Sequence, residues 1–99
     1  MTGEVFKTLV EEKGRLYSDV LLKKAKEYAT EDRLHNFKAA AIFLDCTPEQ
    51  ALWGFMTKHL ISLSDMVKSG DDFTDDIWDE KIGDCINYLF LLRAIVVDG

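Results

Sequence analysis

Asp76, Glu80, Asp84 and Asn87 are separated by four, four and three residues, so on a helix they fall on one face as a single polar stripe. Neighbouring carboxylates that line a cleft can hold a hard cation such as Mg²⁺. At a solvated helix start they need no such role, since the macrodipole and the unpaired amides already favour negative charge there. The second explanation covers Asp75, Asp76 and Asp79 but not Asp84, which lies two turns in. Beyond it, residues 85–97 contain only Asn87 and Arg93 as strongly polar side chains. A helix apolar on all sides is buried on all sides, so the stripe is expected to run from an exposed end into a cleft. Glu80 and Asp84 are then the candidate metal ligands, and Asn87 and Tyr88 line the pocket. The alternative is a capped, solvated polar face.

Arg33, His35, Asn36 and Lys38 cluster where a second helix is expected to start, and backbone amides at such a start favour an anion. Arg33, Asn36 and Lys38 are candidate phosphate or base contacts, against the alternative of an ordinary capping cluster. His59 lies near the apolar stripe of the third helix with Lys58 beside it. It is either a packed imidazole or a ligand contact. Cys46 and Cys85 lack a catalytic partner motif, and Cys85 reads as a small buried hydrophobe. Trp53, Phe55, Met56, Trp78 and Tyr88 read as core or dimer interface, with Tyr88 also able to stack on a nucleobase.

Four helices would position these groups. From Glu4 to about Ala29, Val5, Phe6, Leu9, Val10, Leu16, Tyr17, Val20, Leu21, Ala25 and Tyr28 keep helical spacing. Gly14 marks either a bend or the end of a short first helix, and the cluster Thr30 to Arg33 ends the segment. A second helix covers Leu34 to Leu44. Thr47-Pro48-Glu49-Gln50 starts a third, with Thr47 and Gln50 forming a capping box and Pro48 in the first turn. Its stripe of Leu52, Trp53, Phe55, Met56, Leu60, Leu63, Met66 and Val67 runs to Ser69-Gly70, where Gly supplies a left-handed stop. After an acidic loop the fourth helix covers about Ile77 to Val97, with Trp78, Ile82, Cys85, Leu89, Leu92 and Val96 as its expected core stripe.

The chain has 99 residues, 47% apolar and 30% charged, with 6 Gly and 1 Pro, which bounds it to one domain and disfavours a sandwich of short strands. Eighteen acids against twelve bases give a formal −6, arguing against binding to duplex nucleic acid. Residues 71–84 hold seven acids and one base and carry that whole imbalance. Two widely spaced cysteines fit a reducing, cytoplasmic compartment. No apolar run is long enough to span a membrane, and the N-terminal residues do not form a signal peptide. The expected architecture is an all-α, compact four-helix bundle over residues 1–99. It is expected to form a homodimer or higher oligomer, because one short bundle leaves apolar surface uncovered.

The run Asp79 to Leu92, an acidic pair, a small residue, an Asp and a Tyr-Leu-rich tail, resembles the last core helix of MazG-like, all-α nucleoside triphosphate pyrophosphohydrolases. That resemblance implies Mg²⁺ held on a triphosphate by Glu80 and Asp84. Lys81 stands where the motif has a Glu, and Arg15, after Glu11-Glu12, stands where an upstream acid belongs. A broader resemblance covers Lys24 to Ala29, Asp32 to Lys38, Lys58 to Leu60 and Glu80 to Tyr88. In order and spacing these look like the phage and prophage proteins of the nucleotide modification associated domain family. The resemblances imply a small phage protein that binds a nucleotide. If it is an enzyme, Mg²⁺-bound water would attack a phosphoanhydride. The alternative is a non-catalytic interaction protein, which either inhibits a host defence or nucleic-acid enzyme through the acids of 71–80 or sequesters a nucleotide signal.

Overall fold

The computed structural model of the protein describes residues 1–25 and 32–99. They form four α-helices, α1 (Gly3–Ala25), α2 (His35–Leu44), α3 (Pro48–Ser69) and α4 (Asp75–Asp98), and no strand occurs among the described residues. The expected continuation of the first helix to Ala29, with Tyr28, falls outside them, as do Thr30 and Glu31.

Local chemistry sets the boundaries. At the start of α3 the Gln50 amide donates to Thr47 Oγ1 (3.2 Å) while the Thr47 amide donates to Gln50 Oε1 (3.0 Å), a complete capping box. Gly70 closes the helix at φ 69°. α4 begins at Asp75, two residues before the expected Ile77, because Thr74 Oγ1 accepts from the Ile77 amide at 3.3 Å. α2 starts one residue late. Leu34 occupies its N-cap with no side-chain hydrogen bond to offer, and the Asp32 carboxylate accepts from the Leu34 amide instead, at 2.9 Å. α1 runs through Gly14 without ending.

Among the described residues, backbone packing joins α1 to α4, α4 to α3 and α3 to α2, and no other pair. The helices therefore form an open row in the order α1, α4, α3, α2, in which the two outermost do not close on each other. The core lies at the α2 side, where Leu34, Phe37, Leu52 and Ile95 pack with Tyr88, Leu91 and Leu92 around them. Phe37 meets Phe55 and Tyr88 edge-on, at centroid separations of 5.9 and 6.4 Å, the geometry that ring quadrupoles favour.

This arrangement corrects three sequence expectations. The residues α4 buries are Gly83, Cys85, Asn87 and Ile95, whereas Leu89 and Val96 of the expected core stripe are exposed. α4 is flanked by α1 on one side and α3 on the other, so its inner surface cannot follow one apolar stripe. Its second half is not buried all round either, since Leu89, Phe90, Val96 and Val97 face outward. On α3, Leu52, Met56 and Met66 are buried as expected, but Trp53, Phe55 and Val67 are exposed.

Candidate functional site

The missing contact between α1 and α2 leaves a groove of about 430 Å³, in the size range of small-ligand sites. Leu21 and Lys24 of α1 form one wall, and Arg33, Asn36 and Phe37 form the other. Asp84, Asn87, Tyr88 and Leu91 of α4 lie along the floor, and Phe55 of α3 closes one side. A second groove of about 350 Å³ continues between α1 and the start of α4, lined by Asp76, Asp79, Glu80 and Gly83 with Leu16, Tyr17 and Val20. Lys24, Asp84 and Asn87 line both. One cleft thus has an aromatic, cationic part and an acidic part.

The polar stripe of α4 crosses this cleft with falling exposure: Glu80 is exposed, Asp84 half-buried and Asn87 buried. Asn87 Nδ2 donates to the Tyr17 carbonyl at 3.0 Å. A carbonyl can only accept, so this bond fixes which end of the amide is which and leaves Oδ1 as an acceptor. That Oδ1 has no hydrogen-bond partner among the described residues, although the residue is only 9% exposed. A buried acceptor left unpaired carries a desolvation penalty of about 1–3 kcal/mol. Unpaired buried groups are rare enough to require an explanation.

Beside it, the His59 ring lies against Tyr88 at a centroid distance of 5.0 Å, tilted by 38°, and His59 Nδ1 stands 3.5 Å from Asp84 Oδ2. α3 and α4 therefore set an imidazole against a phenol and a carboxylate that line the groove. No cluster of three or more His, Cys, Asp or Glu side chains poised for a metal exists among the described residues. Glu80 and Asp84, one helical turn apart, offer two carboxylates. That suits Mg²⁺ when phosphate oxygens and water supply the remaining ligands.

α1 is held in place by a polar clamp. Asp79 accepts from Lys13 Nζ at 2.8 Å and from the Tyr17 hydroxyl at 2.9 Å. The Lys13 and Tyr17 hydrogen bonds hold the Asp79 carboxyl below its ordinary range, and the Asp79 hydrogen bond raises Lys13 in turn. Burial, and then the bond to Asp79, push the Tyr17 phenol up to about 12. Gly83 makes room for the ring: a Cβ there would come within 2.8 Å of Tyr17 Cδ1. Asp79 thus serves the scaffold through both of its carboxylate oxygens.

Of the residues singled out in the sequence, Arg33, Asn36, Asp84, Asn87 and Tyr88 meet in the first groove, His59 touches two of them, and Glu80 lines the second groove. Lys38 does not join them. Its ammonium pairs with Asp32 at 2.7 Å and Asp98 at 2.8 Å, and those hydrogen bonds raise its pKa. The start of α2 is also a poorer anion site than expected, because the Asp32 carboxylate already lies there. Burial, and then the Asp84 charge, raise the Cys85 thiol, which disfavours the thiolate. The groove residues missed were Leu21, Lys24, Phe37, Phe55 and Leu91. Lys24 carried a signal in the Lys23-Lys24 pair, but only the pitch of α1 against α4 decides which of the two faces the groove. No protein-family model, curated protein or solved structure matches the chain.

Proposed function

We propose that the protein is a small phage-type nucleotide-binding protein, working in the host cytoplasm as a homo-oligomer, with its ligand in the cleft between α1, α2 and α4. The observation that carries this reading is the unpaired Asn87 Oδ1 at the junction of the two grooves. It can accept a hydrogen bond from a donor in the cleft, and the amino group of a nucleobase supplies one. The base would lie against Tyr88 and His59, and Arg33 and Lys24 would face its phosphates, with Asn36 as a further polar contact. Glu80 and Asp84 would hold Mg²⁺ on the phosphate side. That ion would neutralise phosphate charge and, if the protein turns its ligand over, activate water toward a phosphoanhydride.

A thermal-shift series with nucleoside mono-, di- and triphosphates and cyclic nucleotides, with and without Mg²⁺, tests this on wild type and Asp84→Asn. A ligand at about 100 times its Kd stabilises a fold by about 2.7 kcal/mol, several degrees in Tm for a domain of this size. The expected result is a shift that Mg²⁺ enhances and Asp84→Asn abolishes. No shift with any nucleotide would sink the reading. A second reading, an acidic inhibitor of a host enzyme, is favoured by the exposure of Asp71, Asp72, Asp75 and Asp76. Neutralising Asp71, Asp72 and Asp75, which lie outside the cleft lining, would abolish inhibition on that reading and leave nucleotide binding unchanged on the first.

A further inference from the structure

The polar contacts of α1 with α4 begin at Lys13, so residues 3–12 reach about 15 Å past the clamp at a rise of 1.5 Å per residue. This overhang is not polar. Val5, Phe6, Leu9 and Val10 are 54%, 58%, 39% and 54% exposed, and Leu16 and Val20 continue the same stripe at 43% and 40%. Apolar residues at helical spacing are the signature of a buried face, yet within the protomer none of its first ten residues is buried. A helix segment of that length is marginal in water without packing to hold it.

The whole molecule shows the same deficit. Its radius of gyration is 15.5 Å, against about 12.6 Å for a folded domain of this length. Its accessible surface is 7417 Å², where a monomer of its mass exposes about 5,700 Å². The surplus of about 1,700 Å² per protomer exceeds the ~800 Å² that each partner of a standard interface buries and falls within the obligate-dimer range.

We propose that the occupant of this face is a second copy of the chain, with the α1 helices of two protomers packed antiparallel across a two-fold axis. The stripe is self-complementary in one register. With the axis between Glu12 and Lys13, Val5 lies against the partner's Val20 and Leu9 against the partner's Leu16, while Glu12 stands beside the partner's Lys13. A two-fold contact must pair residues reciprocally in this way, and Val5, Leu9, Leu16 and Val20 satisfy that condition without any shift. Because Leu16 and Val20 also line the acidic groove, the partner's α1 would form its outer wall. The inference stands apart from the ligand reading, since a dimer that binds no nucleotide would leave it intact.

Sedimentation velocity on the purified chain is expected to give a mass twice the 11.3 kDa of the protomer. Leu9→Glu, which lies beyond the contacts with α4, is expected to give a monomer with unchanged helical circular dichroism. In a Cys46→Ser background, Leu9→Cys combined with Leu16→Cys should form a covalent dimer on mild oxidation, and Leu9→Cys combined with Leu22→Cys, on the opposite side of α1, should not. A monomeric wild type, a dimer indifferent to Leu9→Glu, or equal cross-linking by the two cysteine pairs would each overturn the proposal. The cross-linking comparison decides the matter even if Leu9→Glu fails to fold.

Discussion

At the scale of single residues, the site and the scaffold make opposite demands on Asn87. Its Nδ2 serves the scaffold through the Tyr17 carbonyl, while its Oδ1 is left unpaired. Leucine has nearly the same shape and no acceptor to desolvate. The Tyr17 carbonyl lies in mid-α1 and keeps its helical donor. Asn87→Leu is therefore expected to leave the free protein as stable or up to about 1 kcal/mol more stable, measured by urea denaturation, while removing the nucleotide-dependent thermal shift. A large loss of stability would instead assign Asn87 a purely structural role. The Asp79 clamp has its own pH signature. The Asp79 carboxyl is held low, so its contribution is present above the ordinary carboxylate range and is lost as pH falls through the lowered value. Tyr17 and Lys13 are shifted upward, so theirs is present at neutral pH and is lost as pH rises, for Tyr17 between about 10 and about 12. Urea midpoints across pH should show both limbs, and Asp79→Asn should flatten the acid one.

At the scale of elements, each helix carries a local instruction that can be edited separately. Thr47→Ala removes one half of the capping box and is expected to cost about 1 kcal/mol, a fall of several degrees in Tm. Gly14 sits inside α1 with nothing within 4 Å of where a Cβ would be, so Gly14→Ala is expected to gain about 0.5–1 kcal/mol from the reduced freedom of the unfolded chain. Gly83 gives the opposite result for the same substitution. There the added methyl meets the Tyr17 ring at 2.8 Å, and Gly83→Ala should destabilise by about 1–3 kcal/mol through overpacking, displacing α1 and with it the Leu21 and Lys24 wall of the groove. Thermal melts of the pair Gly14→Ala and Gly83→Ala, side by side, separate helix propensity from packing. A Gly83→Ala variant as stable as wild type would mean that the α1–α4 contact is looser than the geometry shows.

At the scale of the whole molecule, the cleft exists because a row of four helices is open. α1 packs on α4 and α2 on α3, and the two stop short of each other across the part of α4 that carries Asn87. The sequence by itself determined the four helices, the capping box at Thr47, the left-handed stop at Gly70 and the one-sided alignment of Glu80, Asp84 and Asn87, because each depends on residues within a turn or two of one another. It also placed Arg33, Asn36 and Tyr88 among the groups worth following. Only the tertiary structure decided that Lys38 is taken up by Asp32 and Asp98, that Asp79 is a clamp for α1, that His59 meets Tyr88 and Asp84, and that Lys24 reaches the groove. Those facts depend on the angle and depth at which one helix seats on another. Tyr17 and Gly83, which seat α1 on α4, lie more than sixty residues apart in the sequence. The apolar stripes show the same division: periodicity says that a face will be buried, but which element covers it, or whether a second copy must, is settled by the packing of the whole row.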